Sequence, residues 1–301
     1  KAMLTFSSFA AAALGSTPCG FTPECFKPEA VHERVAPAGP RIQWLNKGGY
    51  CGSLAIQVGA LAKGAWLSQA AIRAHADPGG GQGREILATN IDEALRRLKL
   101  AAARWDYEEE PVPQASGFLG WMKSQLVQEH VVVWMVLLQG DTYPYYPNLP
   151  MSWYGHIEPV WGLLSNHSLE DPRWYDDDVI VHGNDIDTHV YYRRMGGLPD
   201  NLNATGNCKD QHYLAMPCLY TQYGFGWAIQ DLADPTPAQP LHLTVDRDDE
   251  PDLPSGDAPA LLRVTVHVSA LVPGGAYRLY RWDSVGEALD FSAKPAAEFE
   301  A

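Results

Sequence analysis

Along the chain the spacing of apolar positions changes character twice. Residues 1–40 show no sustained period and are rich in Pro, Ala and Gly, which suits a segment that wraps a domain surface. From residue 41 a helical period begins. In CGSLAIQVGALAKG, Leu54, Ala55, Val58, Leu61 and Ala62 fall on one face, with Gly64 as the stop. LSQAAIRAHA predicts a second helix capped by Ser68. NIDEALRRLKL predicts a third, with an Asn cap, acidic residues in its first turn and basic ones in its last, as the helix dipole favours. FLGWMKSQLVQEH closes the helical stretch.

Then the period shortens. VVVWMVLL, residues 131–138, is an unbroken β-prone run, as expected of a strand covered on both faces. HIEPVWGLL, DVIVHGND and THVYYRR predict further strands, and the Pro- and Tyr-rich loop QGDTYPYYPNLPMSWYG joins the first two. Helices first and strands later predict an α+β domain over 41–234, its helical part packed on a mostly antiparallel sheet. After the linker-like DPTPAQP, LHLTV and LLRVTVHVSALVPGGAYRLYRW alternate cleanly and predict a small β-rich extension over 235–301.

Composition narrows the function. With 36 acidic against 22 basic residues the formal net charge is −14, which disfavours nucleic-acid backbones and anionic membranes as partners. No apolar run reaches the roughly 18 residues of a transmembrane helix. The opening KAMLTFSSFAAAALGS has the features of a secretory signal peptide, and both a cleaved signal and a retained segment fit it. Cys19 and Cys25 lie close together, and Cys208 and Cys218 bracket KDQHYLAMP. Two short-range disulfides are the economical reading, and they imply an oxidising compartment. The sequons at Asn166 and Asn203 agree with secretion and N-linked glycans.

That pairing leaves Cys51 over, at the start of the first helix in NKGGYCGS. Helix N-termini favour thiolates, and the flanking glycines permit close approach of a substrate. Burial as a small hydrophobe is the alternative. HGNDIDTH can be drawn as a metal site, but strand parity sets His182 against Asp185, Asp187 and His189. YDDDV lacks the alternating ligands of a calcium loop, and GGGQG lacks the strand and Lys of a phosphate loop. No cofactor or metal is expected. Glu158, two residues after His156, shares its strand face and reads as a supporting polar group.

QWLNKGGYCGSLAIQ resembles the Gln-then-Cys-Gly-Ser signature of papain-like cysteine peptidases, and is nearer to the bacteriocin-processing, C39-like branch. The order VVVWMVLL, YGHIEPVWGLL, DVIVHGND is similar to that branch over roughly residues 41–195. The resemblance implies a papain-like fold in which Cys51 attacks a carbonyl carbon and His156 moves the proton. Asp185, or alternatively Asn184, would hold the imidazole. Gln43, or Asn46 in its place, would complete an oxyanion hole with the Cys51 N–H. The eight positions from Gln43 to Cys51 require the Gly48–Gly49 pair to bulge. The expected activity is hydrolysis of a peptide or other amide substrate. Acyl transfer or deamidation through the same thioester is the alternative, as is a non-catalytic cell-surface or matrix protein that binds protein partners.

Overall fold

The computed structural model of the chain describes residues 26–43, 49–76, 85–87, 89–105, 114–139, 153–184, 188–198, 218–219, 226–233, 241–246, 263–268, 271–282 and 289–301. Asn46, Cys19, Cys25, Cys208, Asp185, Asn203 and most of the Tyr-rich loop lie outside the described residues. Four α-helices are described: α1 (Cys51–Ala62), α2 (Gln69–Ala76), α3 (Ile91–Arg97) and α4 (Gln114–Val127). A sheet is built from β1 (His32–Val35), β2 (Leu100–Trp105), β3 (Val131–Gln139), β4 (Trp153–Ser165), β5 (Val179–His182), β6 (Tyr191–Arg194), β7 (Cys218–Leu219) and β8 (Gly226–Leu232).

The strand order is β2-β8-β3-β4-β5-β6, and every described pairing is antiparallel. β4 is long enough to pair β3 along its first half and β1 along its second. The α+β class therefore holds. Helices cover both faces of the sheet, in keeping with the unbroken apolar run of 131–138. On one face Met135, Ile157, Val133, Trp227 and Ile229 pack under α1, α2 and α3. On the other Val132, Trp134, Val136, Val160, Leu163 and Tyr191 pack under Phe118, Leu119, Met122 and Leu126 of α4. From Val132 to Val136 the residues of β3 alternate between these clusters, and Val131 packs against Leu54, Val58 and Ala62 of α1, which is why the run VVVWMV is apolar throughout: both sides are dry.

α1 is central. Residues Gly52–Ala62 are all buried, so the expected polar face is absent. Small residues bring it close to the sheet; a Cβ on Gly52 would lie 2.7 Å from Ile86 Cβ and 3.0 Å from Ile157 Cδ1. Ser68 caps α2 as predicted, its Oγ accepting the Ala71 N–H at 3.1 Å. Asn90 precedes α3 without capping it; its side chain turns back to accept the Leu87 N–H and donate to Glu85 O. In the C-terminal part β9 (Leu241–Asp246) pairs β10 (Arg263–Val268), and β11 (Ala276–Leu279) pairs β12 (Ala297–Glu300). Leu289 and Trp282 from this stretch join the core under α1. Among the described residues no helix is long and apolar enough to cross a membrane.

Candidate functional site

Cys51 is the first residue of α1, half-buried, and its thiol forms no disulfide. The chain enters the helix through Gly49 at φ +66°, a left-handed turn that glycine adopts without strain, while Gly48 lies outside the described residues. Tyr50 follows, its backbone N–H donating to Gln43 Oε1 at 3.2 Å. This bond carries the Gln43 amide to the mouth of α1, beside Cys51. The bond holds Gln43 by its Oε1, and among the described residues its Nε2 donates to none. Arg73 stacks on the Tyr50 ring at 4.0 Å and fixes that side chain from below.

His156 comes to the same end of the sheet, near the start of β4, where α1 also starts: Gly52 abuts Ile157, while Gly59, two turns on, abuts Ile229 at the far end of β3. The imidazole nevertheless does not meet the thiol. Side chains alternate along β4, and Ile157 takes the α1 face. His156 stands in register with Val136 on the α4 face, with Nε2 3.9 Å from Glu158 Oε1. Cys51 packs at the margin of the Met135–Ile157 cluster on the other side. The expected Cys51–His156 pair is thus divided by the sheet, because one residue of strand parity separates the two faces.

What His156 does face is a buried polar cluster that the sequence pattern showed only in part. Glu158 and His182 are completely buried, Asn184 likewise, and Arg193 is 1% exposed. Arg193 Nε donates to His182 Nε2 at 2.8 Å. That bond makes Nε2 an acceptor, so the His182 proton resides on Nδ1, 3.3 Å from Glu158 Oε2 and 3.2 Å from Gly183 O. Burial pushes the Glu158 carboxyl up, but the His182 hydrogen bond and the charges of His182, His156 and Arg193 outweigh it and hold the group below its ordinary range. Burial also pulls the His182 imidazole below its ordinary value, against the opposing pull of Glu158. The cluster is a carboxylate and a guanidinium bridged by a neutral imidazole. Glu158 supports His156 as strand parity predicted.

Sequence reasoning passed over Arg193 and treated His182 as a polar residue at a strand turn. The usable signal was parity: Tyr191 and Arg193 share a face, and β5 is in register with them through His182. A second buried ion pair, Lys123–Asp178 at 3.0 Å, ties α4 to the segment after β4. Asn166 opens that segment and is exposed, with Nδ2 donating to Asp177 at 3.3 Å. Cys218 opens β7. Compared with protein-family models, curated proteins and solved structures, the chain matches none.

Proposed function

We propose that this chain is a secreted thiol-dependent hydrolase of peptide or other amide bonds, with Cys51 as nucleophile and Gln43 as the oxyanion donor. The observation that supports the reading is the Gln43–Tyr50 bond, which ties the Gln43 side chain to the residue before a half-exposed thiol at the mouth of a helix otherwise buried along its length. The papain-like character rests on the resemblance of the Cys-Gly-Ser and Gly-His segments. In this reading Cys51 Sγ adds to the carbonyl carbon, the amine leaves with a proton, and water then hydrolyses the thioester. The resemblance makes His156 the proton carrier, but its ring stands beside Glu158 on the other face of the sheet, so this role is the weakest part of the reading.

A second reading is favoured by that ring: a protein of the same fold without turnover, binding partners at a cell surface, in which His156 belongs to the Glu158 cluster alone. The experiment compares parent, Cys51→Ala and His156→Ala chains for iodoacetamide labelling and for hydrolysis of a casein-derived peptide mixture. The hydrolase reading expects Cys51→Ala to lose both, and His156→Ala to lose turnover and label about tenfold more slowly at neutral pH. Equal labelling rates in parent and His156→Ala, with no turnover in either, establish the second reading. Secretion is part of the proposal, and a mass decrease on treatment with a peptide N-glycosidase, abolished in part by Asn166→Gln, checks it.

A further inference from the structure

A cavity of about 460 Å³ opens beside α1, walled by Arg41, Ile42, Gln57, Trp66, Ser68 and Gln69. Its charge is unusual. Arg41 is half-buried, and its Nε donates to Gln57 Oε1 at 3.2 Å. Gln57 is itself locked, donating to Leu67 O at 2.6 Å and accepting from Gln69 Nε2 at 3.4 Å; Gln69 also donates to Ile42 O at 3.0 Å. This amide clamp fixes the guanidinium while engaging, among the described residues, one of its five N–H groups. Among the described residues no carboxylate pairs with Arg41. Burial weakens its hold on the proton, as expected of a cation drawn from water. Trp66, 44% exposed, supplies an apolar wall, and the Ser68 hydroxyl lines the same space.

We propose that this cavity is a carboxylate-binding subsite for an extended peptide, with the two outer nitrogens of Arg41 as a fork on the anion and Trp66 against the neighbouring side chain. The chain itself repels anions at long range, with a net charge of −14, so recognition is local and depends on this one guanidinium. The segment 41–43 runs from this cavity to the mouth of α1, Arg41 bonding Gln57 and Gln43 bonding Tyr50. Gln57 follows Cys51 by six residues, about 9 Å of helix rise and about a third of a turn around the axis, so the two side chains are about 12 Å apart. An extended peptide covers that span in about four residues. The bound carboxylate therefore lies about four residues from a carbonyl at Cys51. Calling the ligand a substrate rests on the hydrolase reading; the anion preference does not.

The test uses the full chain carrying Cys51→Ala, titrated calorimetrically with three peptides: acetyl-Leu-Ala-Glu-Ala-amide, its Gln isostere, and acetyl-Leu-Ala-Leu with a free terminal carboxylate. At least one carboxylate peptide is expected to bind about tenfold more tightly than the Gln isostere. Which of the two wins assigns the anion to a side chain or to a chain end. Arg41→Gln should abolish the preference, and Arg41→Lys should keep part of it. Equal affinities in the parent, a preference that survives Arg41→Gln, or no binding of any peptide at millimolar concentration overturns the proposal. Should the parent chain show no hydrolysis while the preference stands, the hydrolase reading alone has failed.

Discussion

His182 Nδ1 lies 3.3 Å from Glu158 Oε2, with both side chains wholly buried between β4, β5 and the α4 layer. Arg193 completes the arrangement from β6. Ions are expensive to bury, and removing one partner is costlier than never having the pair, because a lone charge remains. Glu158→Gln removes the carboxylate that the charges of His182, His156 and Arg193 surround. The expected loss is about 3–5 kcal/mol in urea unfolding at neutral pH. A loss under about 1 kcal/mol, the size of a surface ion pair, would show that water reaches the cluster.

The same pair sets a direction with pH. Both groups hold their protons less tightly in the folded chain than in the unfolded one. On acidification the unfolded chain therefore takes up protons first, and stability falls. The His182 contribution is complete above its ordinary value of 6.5 and is lost as pH falls below it. The Glu158 contribution is complete above its ordinary value of 4.5 and is lost below that. Unfolding free energy should decline from pH 7 toward pH 4, and His182→Gln should flatten the part between 6.5 and 4.5. A parent chain that gains stability over that range would contradict the neutral imidazole.

Lys123 anchors a different part of the molecule. Its Nζ donates to Asp178 Oδ2 at 3.0 Å and to Arg173 O at 2.7 Å, with both charged side chains at most 1% exposed. Asp178 also accepts from Ser165 Oγ and the Tyr175 N–H. α4 is thereby pinned to the segment between β4 and β5. Lys123→Met strands the carboxylate and should cost about 3–5 kcal/mol. The double variant Lys123→Met, Asp178→Leu should recover only part of that, because Ser165 and Tyr175 then lose their acceptor. Thermal unfolding and limited proteolysis within 166–177 read both effects.

Much of this architecture was legible in the chain. The unbroken run at 131–138 gave β3, and Ser68 marked the start of α2, because each depends on local chemistry alone. β1, β2 and β8 were not found. His32–Val35 is a four-residue strand in a Pro-rich stretch, and Leu100–Trp105 carries three alanines and follows a helix without a break signal. Both are strands only because β4 and β8 stand ready to pair with them. At the site, Gln43 bonds the backbone of Tyr50, the residue before Cys51. The face of His156 was not legible, since the register of β4 comes from β3 and β5 and no residue near His156 encodes it.

Gly52 is where fold and candidate chemistry meet. It follows the thiol directly, and its missing side chain lets the start of α1 rest on Ile86 and Ile157. A methyl there would lie 2.7 Å from Ile86 Cβ, an atom with no freedom to swing aside. Helix propensity favours alanine over glycine by about 1 kcal/mol, so an increase in stability is the outcome expected from propensity alone. Overpacking opposes it at about 1–3 kcal/mol and should win, because Ile86 is 1% exposed and has nowhere to go. Gly52→Ala is therefore expected to lower stability by about 1 kcal/mol or more and to shift Cys51 at the mouth of α1. Ile86→Ala added to it should restore helix packing and the parent rate of thiol alkylation. A single Gly52→Ala chain that is as stable as the parent and alkylated at the same rate would show that α1 does not rest on Ile86 at its mouth.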